Sequence, residues 1–317
     1  MSATKVLFVS PNRIGDSVIA TGIVSEILRQ FPGAEITVAA GGPPAPFYRA
    51  APGVVDIIVV DKTTWARHWF RLWRRVKDTR WDVMIDTRGS PLRLFVRAGR
   101  KFIYRGAPAG AVPKVEVISR LMQAPHILDP EVFIDDRARA EARAVIAAQP
   151  SGAGAGPIIA LAPIANQKGK SWPRDRWGQL VEVLKTEPRF DGWRFLIVGG
   201  PGDHAPTAPA LAAAGDRGID FVGKGDILAS AAAIQDATLF AGNDSGLMHV
   251  AAAVGAPTLG LFGPTEWWLY KPWGPKGHSV ASNPVQGQYA PIEDLTVEQV
   301  RDAVVALYDT YVGKPAS

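Results

Sequence analysis

The 317-residue chain contains no cysteine. That excludes disulfide frameworks, thiolate metal sites and cysteine nucleophiles, and it makes a reducing compartment unobjectionable. The five histidines, at 68, 126, 204, 249 and 278, are too scattered in sequence to mark a zinc cluster. No run of about 18 predominantly apolar residues occurs, so no membrane span is expected. The opening MSATKVLFVSPNR leads straight into an apolar strand-like run, without the charged, apolar and small-residue order of a secretion signal, which argues against export. What is present is ordinary for a well-packed α/β protein: 47% hydrophobic residues, and 35 Lys and Arg against 30 Asp and Glu. The formal charge of +5 favours anionic ligands or surfaces without naming one.

Short runs rich in Val and Ile alternate with segments of helical period. Lys5 to Ser10, Ile36 to Ala40, Ile57 to Val60, Val83 to Asp86 and Phe102 to Tyr104 read as strands. Between the first two, Ile19, Ile23, Ile27 and Phe31 recur every four residues and predict one helix with one buried stripe, ending near Pro32-Gly33. After a charged, Arg/Ala-rich segment and the linker-like PSGAGAGP, strands resume at Ile158 to Ala162, Arg194 to Val198, Thr238 to Ala241 and Thr258 to Leu261. Helices are expected to start near Pro173, Asp226 and Asp244, with a last one over about Thr296 to Tyr311. The alternation implies two doubly wound parallel-sheet domains, 1–153 and 154–317, with the last helix free to pack back on the first. Ligands of such sheets bind outside the carboxyl ends of the strands, so the expected site is a cleft that the two domains face.

Four strand-to-helix turns carry candidate chemistry. The first, Pro11-Asn12-Arg13-Ile14-Gly15-Asp16, brings a carboxylate to a helix start, where Asp16 reads either as an N-cap or as a general base. The second domain opens with Asn166-Gln167-Lys168-Gly169-Lys170-Ser171 ahead of a Pro173-started helix. A phosphate-binding loop of the Gly-x4-Gly-Lys-Ser type requires glycine at 164, which is Ile, and is rejected. Lys170 can still reach a phosphate, or it is a solvated loop lysine. Gly199-Gly200-Pro201-Gly202-Asp203 offers unobstructed backbone to a nucleotide, or serves sterics alone. Asn243-Asp244-Ser245-Gly246-Leu247-Met248-His249 offers backbone N–H groups to a diphosphate and a carboxylate to sugar or ribose hydroxyls; the alternative is an N-capped helix with a packed histidine.

The segment Trp65 to Trp81, WARHWFRLWRRVKDTRW, sets Trp65, Trp69, Leu72, Trp73 and Val76 on one helical arc. Arg67, Arg71, Arg74, Arg75 and Lys77 occupy the other side. It reads equally as a helix lying on a membrane surface through its indoles and as a sheet-covering helix with a solvated basic face. A second basic set, Arg88, Arg93, Arg97, Arg100, Lys101 and Arg105, is suited to a phosphorylated ligand.

The blocks IGDSVIAT, KSWPRDRWGQL, LIVGGPGD and AGNDSGLMHVAAAVGAPTLGLFGPT, in this order, resemble the bacterial heptosyltransferases of glycosyltransferase family 9, which have the two-domain GT-B fold. The resemblance implies an inverting transfer from ADP-heptose to the inner core of lipopolysaccharide, onto Kdo on lipid A or a preceding heptose. It implies Asp16 as general base, Lys170 on the donor phosphates, Asp244 on the donor sugar, and Ser245, Gly246 and His249 as further donor contacts. Asn166, Gly200 and Asp203 are assigned to the donor with them, and Arg13, Arg88 and Arg93 to the acceptor. Metal-bound enzymes of this chemistry use an Asp-x-Asp pair, and no two aspartates here are two apart, so the expected reaction needs no metal or cofactor. Relatives carry a Cys- and His-containing segment near the end where Ser282 to Pro291 reads SNPVQGQYAP. That departure bears on the sugar and acceptor, not the reaction type. Expected partners are a nucleotide sugar and a lipid-linked phosphorylated saccharide, not nucleic acid, with a cytoplasmic location and peripheral contact at the inner membrane. The alternatives are another nucleotide sugar and glycan acceptor, a nucleotide-sugar epimerase, or a non-catalytic scaffold.

Overall fold

The computed structural model describes residues 3–106, 112–150, 154 and 156–313, save the side chain of Trp65. The chain forms two compact units, Met1–Asp135 and Asp136–Ser317. The first holds five parallel strands, β1 (Lys5–Val9), β2 (Glu35–Ala40), β3 (Val54–Val59), β4 (Trp81–Asp86) and β5 (Ala98–Ile103), in the order β3-β2-β1-β4-β5. Its helices are α1 (Ile14–Ile19), α2 (Gly22–Gln30), α3 (Arg67–Val76), α4 (Leu92–Phe95) and α5 (Lys114–Leu121). Central β1 buries Val6, Leu7, Phe8 and Val9 completely, as a strand covered on both faces must.

The expected isoleucine stripe is buried, but it runs over two helices. Thr21 breaks the run by donating its hydroxyl to the Val18 carbonyl at 2.6 Å and accepting the Glu131 N–H at 2.9 Å. A Cβ on the next residue, Gly22, would stand 2.5 Å from the Asp129 carbonyl oxygen, so the 128–131 segment presses on the break.

The Trp/Arg segment folds in its middle as helix α3, which covers the sheet. Its Leu72 and Val76 join Leu7, Val9, Met84, Leu92 and Val96 in one core cluster, with Trp69 and Trp73 packed against it. Each such burial contributes about 1.5–3 kcal/mol, which fixes the roll of the helix. Trp81 is not helical: it opens β4 and donates its indole N–H to the Val76 carbonyl at 3.0 Å.

The second unit has six parallel strands, β6 (Ile158–Ala162), β7 (Arg194–Gly199), β8 (Gly218–Val222), β9 (Leu239–Asn243), β10 (Thr258–Phe262) and β11 (Gly277–Ala281), ordered β11-β10-β9-β6-β7-β8. With it go α6 (Asp136–Ala147), α7 (Arg174–Thr186), α8 (His204–Ala214), α9 (Ile227–Gln235), α10 (Gly246–Ala253), α11 (Trp267–Tyr270) and α12 (Val297–Tyr311). The division falls at Asp135/Asp136 rather than at 153/154, because the Arg/Ala-rich segment is helix α6, which packs on α9 and β8. Residues 151–153 and 155 of the linker-like run lie outside the described residues. Val300, Val304 and Leu307 of α12 are buried in this unit's own core, beside Trp172, Trp177 and Phe190.

In both sheets the strand order reverses once, between β1 and β4 and between β6 and β9. Adjacent crossovers leave the sheet on opposite sides there, opening a crevice at the strand carboxyl ends.

Candidate functional site

The second reversal point collects the residues expected to hold a donor. Lys170 lies in the loop after β6 and Asp244 directly after β9, and Lys170 Nζ stands 2.6 Å from Asp244 Oδ2. The loop is held by Trp172, which donates its backbone N–H to Asn243 Oδ1 at 3.1 Å and its indole N–H to the Leu295 carbonyl at 2.7 Å. Gly169, at φ +81°, makes the turn that presents the lysine. Thr265 donates its hydroxyl to the same Asp244 oxygen at 3.0 Å, and the Tyr270 ring lies 5.6 Å from Lys170 Nζ. Asp244 is not an N-cap; that position is Ser245, with α10 starting at Gly246. Asn243 Nδ2 and Ser245 Oγ are buried without a hydrogen-bond partner among the described residues. Buried polar atoms are almost always paired, so two orphans beside a buried ion pair mark a place shaped for polar ligand atoms.

The other donor candidates divide. His249 is buried on α10, while Asn166 is exposed in the lysine loop. Asp203 accepts the Gly200 N–H at 2.7 Å, so its carboxylate closes the β7–α8 turn. A Cβ on Gly200 would meet only that carboxylate, at 3.3 Å.

The first reversal point collects the other set. Asp16 lies in the first turn of α1, whose N-cap is the exposed Arg13, and among the described residues no side chain caps that helix. The N-cap reading of Asp16 is therefore not the structure's. Its carboxylate faces Lys114 Nζ at 3.8 Å, and that ammonium also lies 5.4 Å from the centre of the Tyr104 ring. The turn before α1 is fixed from below by buried Tyr48, whose hydroxyl bonds Ser10 Oγ at 2.7 Å; burial pushes that phenol's pKa well up. Ser17 Oγ donates to the Pro11 carbonyl at 2.8 Å.

Across the reversal point, at the end of β4, buried Asp86 accepts the Arg88 N–H at 2.9 Å and the Ser90 N–H and hydroxyl at 2.8 and 2.7 Å. Gly89 has φ +59° and touches the Tyr104 carbonyl, where a Cβ would stand 2.7 Å away. This turn aims Arg88 into a cavity of about 660 Å³ shared with Arg93, Tyr104 and Arg105. The Arg88 guanidinium lies 4.3 Å from the centre of the Trp69 ring, and its Nη1 is buried without a partner among the described residues. Burial lowers the pKa of this arginine, Asp86 opposing, and burial together with the charges of Arg88 and Lys62 lowers that of His68. A desolvated guanidinium with a free N–H, among two further arginines, suits an anionic oxygen. Tyr104 thus joins the arginine cavity to the Lys114–Asp16 pair along adjoining strand ends.

Reading the sequence missed Asn243, Thr265, Tyr270, Tyr48 and Lys114 as site residues. Asn243 and Thr265 lie within a block already singled out, without a role of their own there; Tyr270, Tyr48 and Lys114 had no signal, since their role depends on strand order.

The model of Glycosyltransferase family 9 (heptosyltransferase) matches residues 115–291, more than half the chain and all the donor-side candidates, though not Asp16. A lipooligosaccharide heptosyltransferase 2 of Haemophilus influenzae is 30% identical over 146 residues, 44% of this chain and 41% of that protein. The chain's matches thus span less than half the length of such curated relatives. Among solved structures, a family 9 glycosyl transferase from Veillonella parvula superposes with a TM-score of 0.78 at 18% identity, over 96% of this chain and 97% of that one. The Escherichia coli ADP-heptose lps heptosyltransferase II does so with a TM-score of 0.76 at 20% identity, over 96% and 98%. These likenesses establish the fold, two Rossmann-like parallel-sheet units of the GT-B class.

Proposed function

Since the chain belongs to glycosyltransferase family 9, the heptosyltransferase family, we propose that it transfers a heptose from ADP-heptose to a lipopolysaccharide inner-core acceptor. The observation that carries this reading is the Lys170–Asp244 pair at 2.6 Å with the orphaned Asn243 Nδ2 and Ser245 Oγ beside it. An ammonium has three N–H donors, so Lys170 keeps Asp244 with one and offers the others to the donor diphosphate. Asp244 accepts from hydroxyls of the sugar, and the backbone N–H groups of Ser245 and Gly246 at the start of α10 favour the phosphates.

On the acceptor side the arginine cavity of Arg88, Arg93 and Arg105 takes a phosphate of the saccharide, with Arg13 at the rim of the Asp16 turn. Asp16 removes the proton of the attacking hydroxyl. The oxygen forms its bond to the anomeric carbon on the face opposite the diphosphate. The bond from that carbon to the phosphate oxygen breaks, the electron pair leaves with ADP, and the configuration inverts. Lys170 and the backbone amides stabilise the charge that develops on the departing phosphate, the kind of preorganised stabilisation that dominates many enzymatic accelerations. A lipid-linked acceptor sets the reaction at the cytoplasmic face of the inner membrane, and no described helix is long and apolar enough to cross one.

The test is ADP release from ADP-heptose with a deacylated, phosphorylated Kdo-bearing acceptor, followed by NMR of the new linkage. Release that needs the acceptor and gives the inverted anomer is expected. Release from a different nucleotide sugar reassigns the donor; release without acceptor, or from no nucleotide sugar at all, overturns the reading.

A further inference from the structure

The roll of α3 exposes the side opposite its buried stripe, where the Phe70 ring lies 5.7 Å from that of Trp73. His68, Leu72 and Val76 are buried, and α4, which touches α3, buries Leu92 with the adjoining Val96 in the same core cluster on one face of the first sheet. The outer sides of the two helices therefore look away from that sheet face together. On them stand Phe70, Leu94 and Phe95, exposed to 59, 70 and 63%. Phe70 and Phe95 are the only phenylalanines among the described residues with such exposure.

The two helices themselves carry charge of one sign, although Asp56 of β3 reaches Arg75 of α3 at 3.5 Å. Arg67, Arg71, Arg74 and Arg97 are exposed on or beside the two helices, and the sequence has no Asp or Glu over 62–77 or 87–115. The formal surplus of +5 lies wholly in the first unit, since the second carries more acidic than basic residues. Apolar tips among arginines that, save Arg75, make no ion pair among the described residues match the two layers of an anionic bilayer surface: rings and leucine enter the acyl boundary while guanidiniums stay at the phosphates. A protein partner of ordinary interface chemistry would not require so uniform a field.

We infer that the outer face of α3 and α4 docks on an anionic lipid surface through Phe70, Leu94 and Phe95, with the flanking arginines on lipid phosphates. The inference rests on the lipid-linked acceptor proposed above, but it can fail separately. The full chain is sedimented with phosphatidylcholine vesicles with and without phosphatidylglycerol. Binding is expected only with the anionic lipid, falling as salt rises. The triple variant Phe70→Ser/Leu94→Ser/Phe95→Ser binds about tenfold or more weakly, since each loses apolar area from the interface. The double variant Arg71→Glu/Arg74→Glu loses binding altogether, while ADP release with the water-soluble acceptor stays at wild-type level in both variants. Hydrogen exchange on the unaltered protein checks the surface without substitution: vesicles should protect 67–77 and 91–97. Wild-type protein that ignores anionic vesicles, a serine variant that binds as tightly as wild type, or protection confined to other segments overturns the docking face. Vesicle binding without turnover on any soluble acceptor overturns only the reaction.

Discussion

Trp172 donates its backbone N–H to the side-chain oxygen of Asn243 at 3.1 Å, tying the loop after β6 to the end of β9. Lys170 stands two residues before one partner and Asp244 one residue after the other, so this bond sets the spacing of the ion pair. Asn243→Ala leaves a buried N–H unpaired and should cost about 1–3 kcal/mol in urea unfolding. Because the lysine loop loosens, ADP should also bind about tenfold more weakly by calorimetry. Unaltered ADP affinity in a folded variant would remove Asn243 from the positioning of Lys170.

The Lys170–Asp244 pair is nearly enclosed, with side-chain exposures of 16% and 5%. Removing one partner strands the other charge. Lys170→Met and Asp244→Asn should each destabilise toward the lower end of about 3–5 kcal/mol, since the lysine keeps some contact with water. The double variant should recover part of that loss in a double-mutant cycle. Lys170→Met should further weaken ADP binding more than Asp244→Asn does. The reverse ranking would mean that the lysine does not face the diphosphate.

Asp16 caps no helix and its neighbour is the Lys114 ammonium, so its carboxylate is free for chemistry rather than committed to the fold. Asp16→Ala is expected to lower turnover roughly 10²- to 10⁴-fold while ADP-heptose affinity stays within about twofold. Equal loss of donor affinity would make the residue a binding group instead of the base.

Much of this was legible in the chain itself. The Val- and Ile-rich runs located β1, β2, β6 and β10 within a residue or two, and the glycine turns located Asp16, Lys170 and Asp244. What escaped was set by tertiary contact. Strand β8 carries Asp220 in its middle and β11 reads GHSVA on a partly exposed edge, so neither has an apolar run to announce it. The Trp/Arg segment has two amphipathic readings in sequence, and only the burial of Leu72 and Val76 tells which of its sides meets the sheet. That choice turned Phe70 outward, a residue the helical arc had given no role. Strand order, which makes neighbours of residues 16, 88, 104 and 114, leaves no trace in local periodicity.

His68 provides a check on the roll of α3 that does not depend on activity. It is buried, its Nδ1 accepts the Thr63 N–H at 3.3 Å, and burial, followed by the charges of Arg88 and Lys62, holds its pKa below the ordinary 6.5. The unfolded chain therefore binds this proton at a higher pH than the folded one. In the window from just above 6.5 down to the folded value, the unfolded state takes up the proton first, so stability falls as pH falls and is regained as pH rises. His68→Asn retains an acceptor for Thr63 and cannot titrate. Thermal unfolding between pH 7.5 and 5 should show a steeper loss of Tm in wild type than in the variant. Parallel curves would mean that His68 is as accessible to protons in the folded protein as in the unfolded chain, and that α3 does not seat this side chain against the sheet.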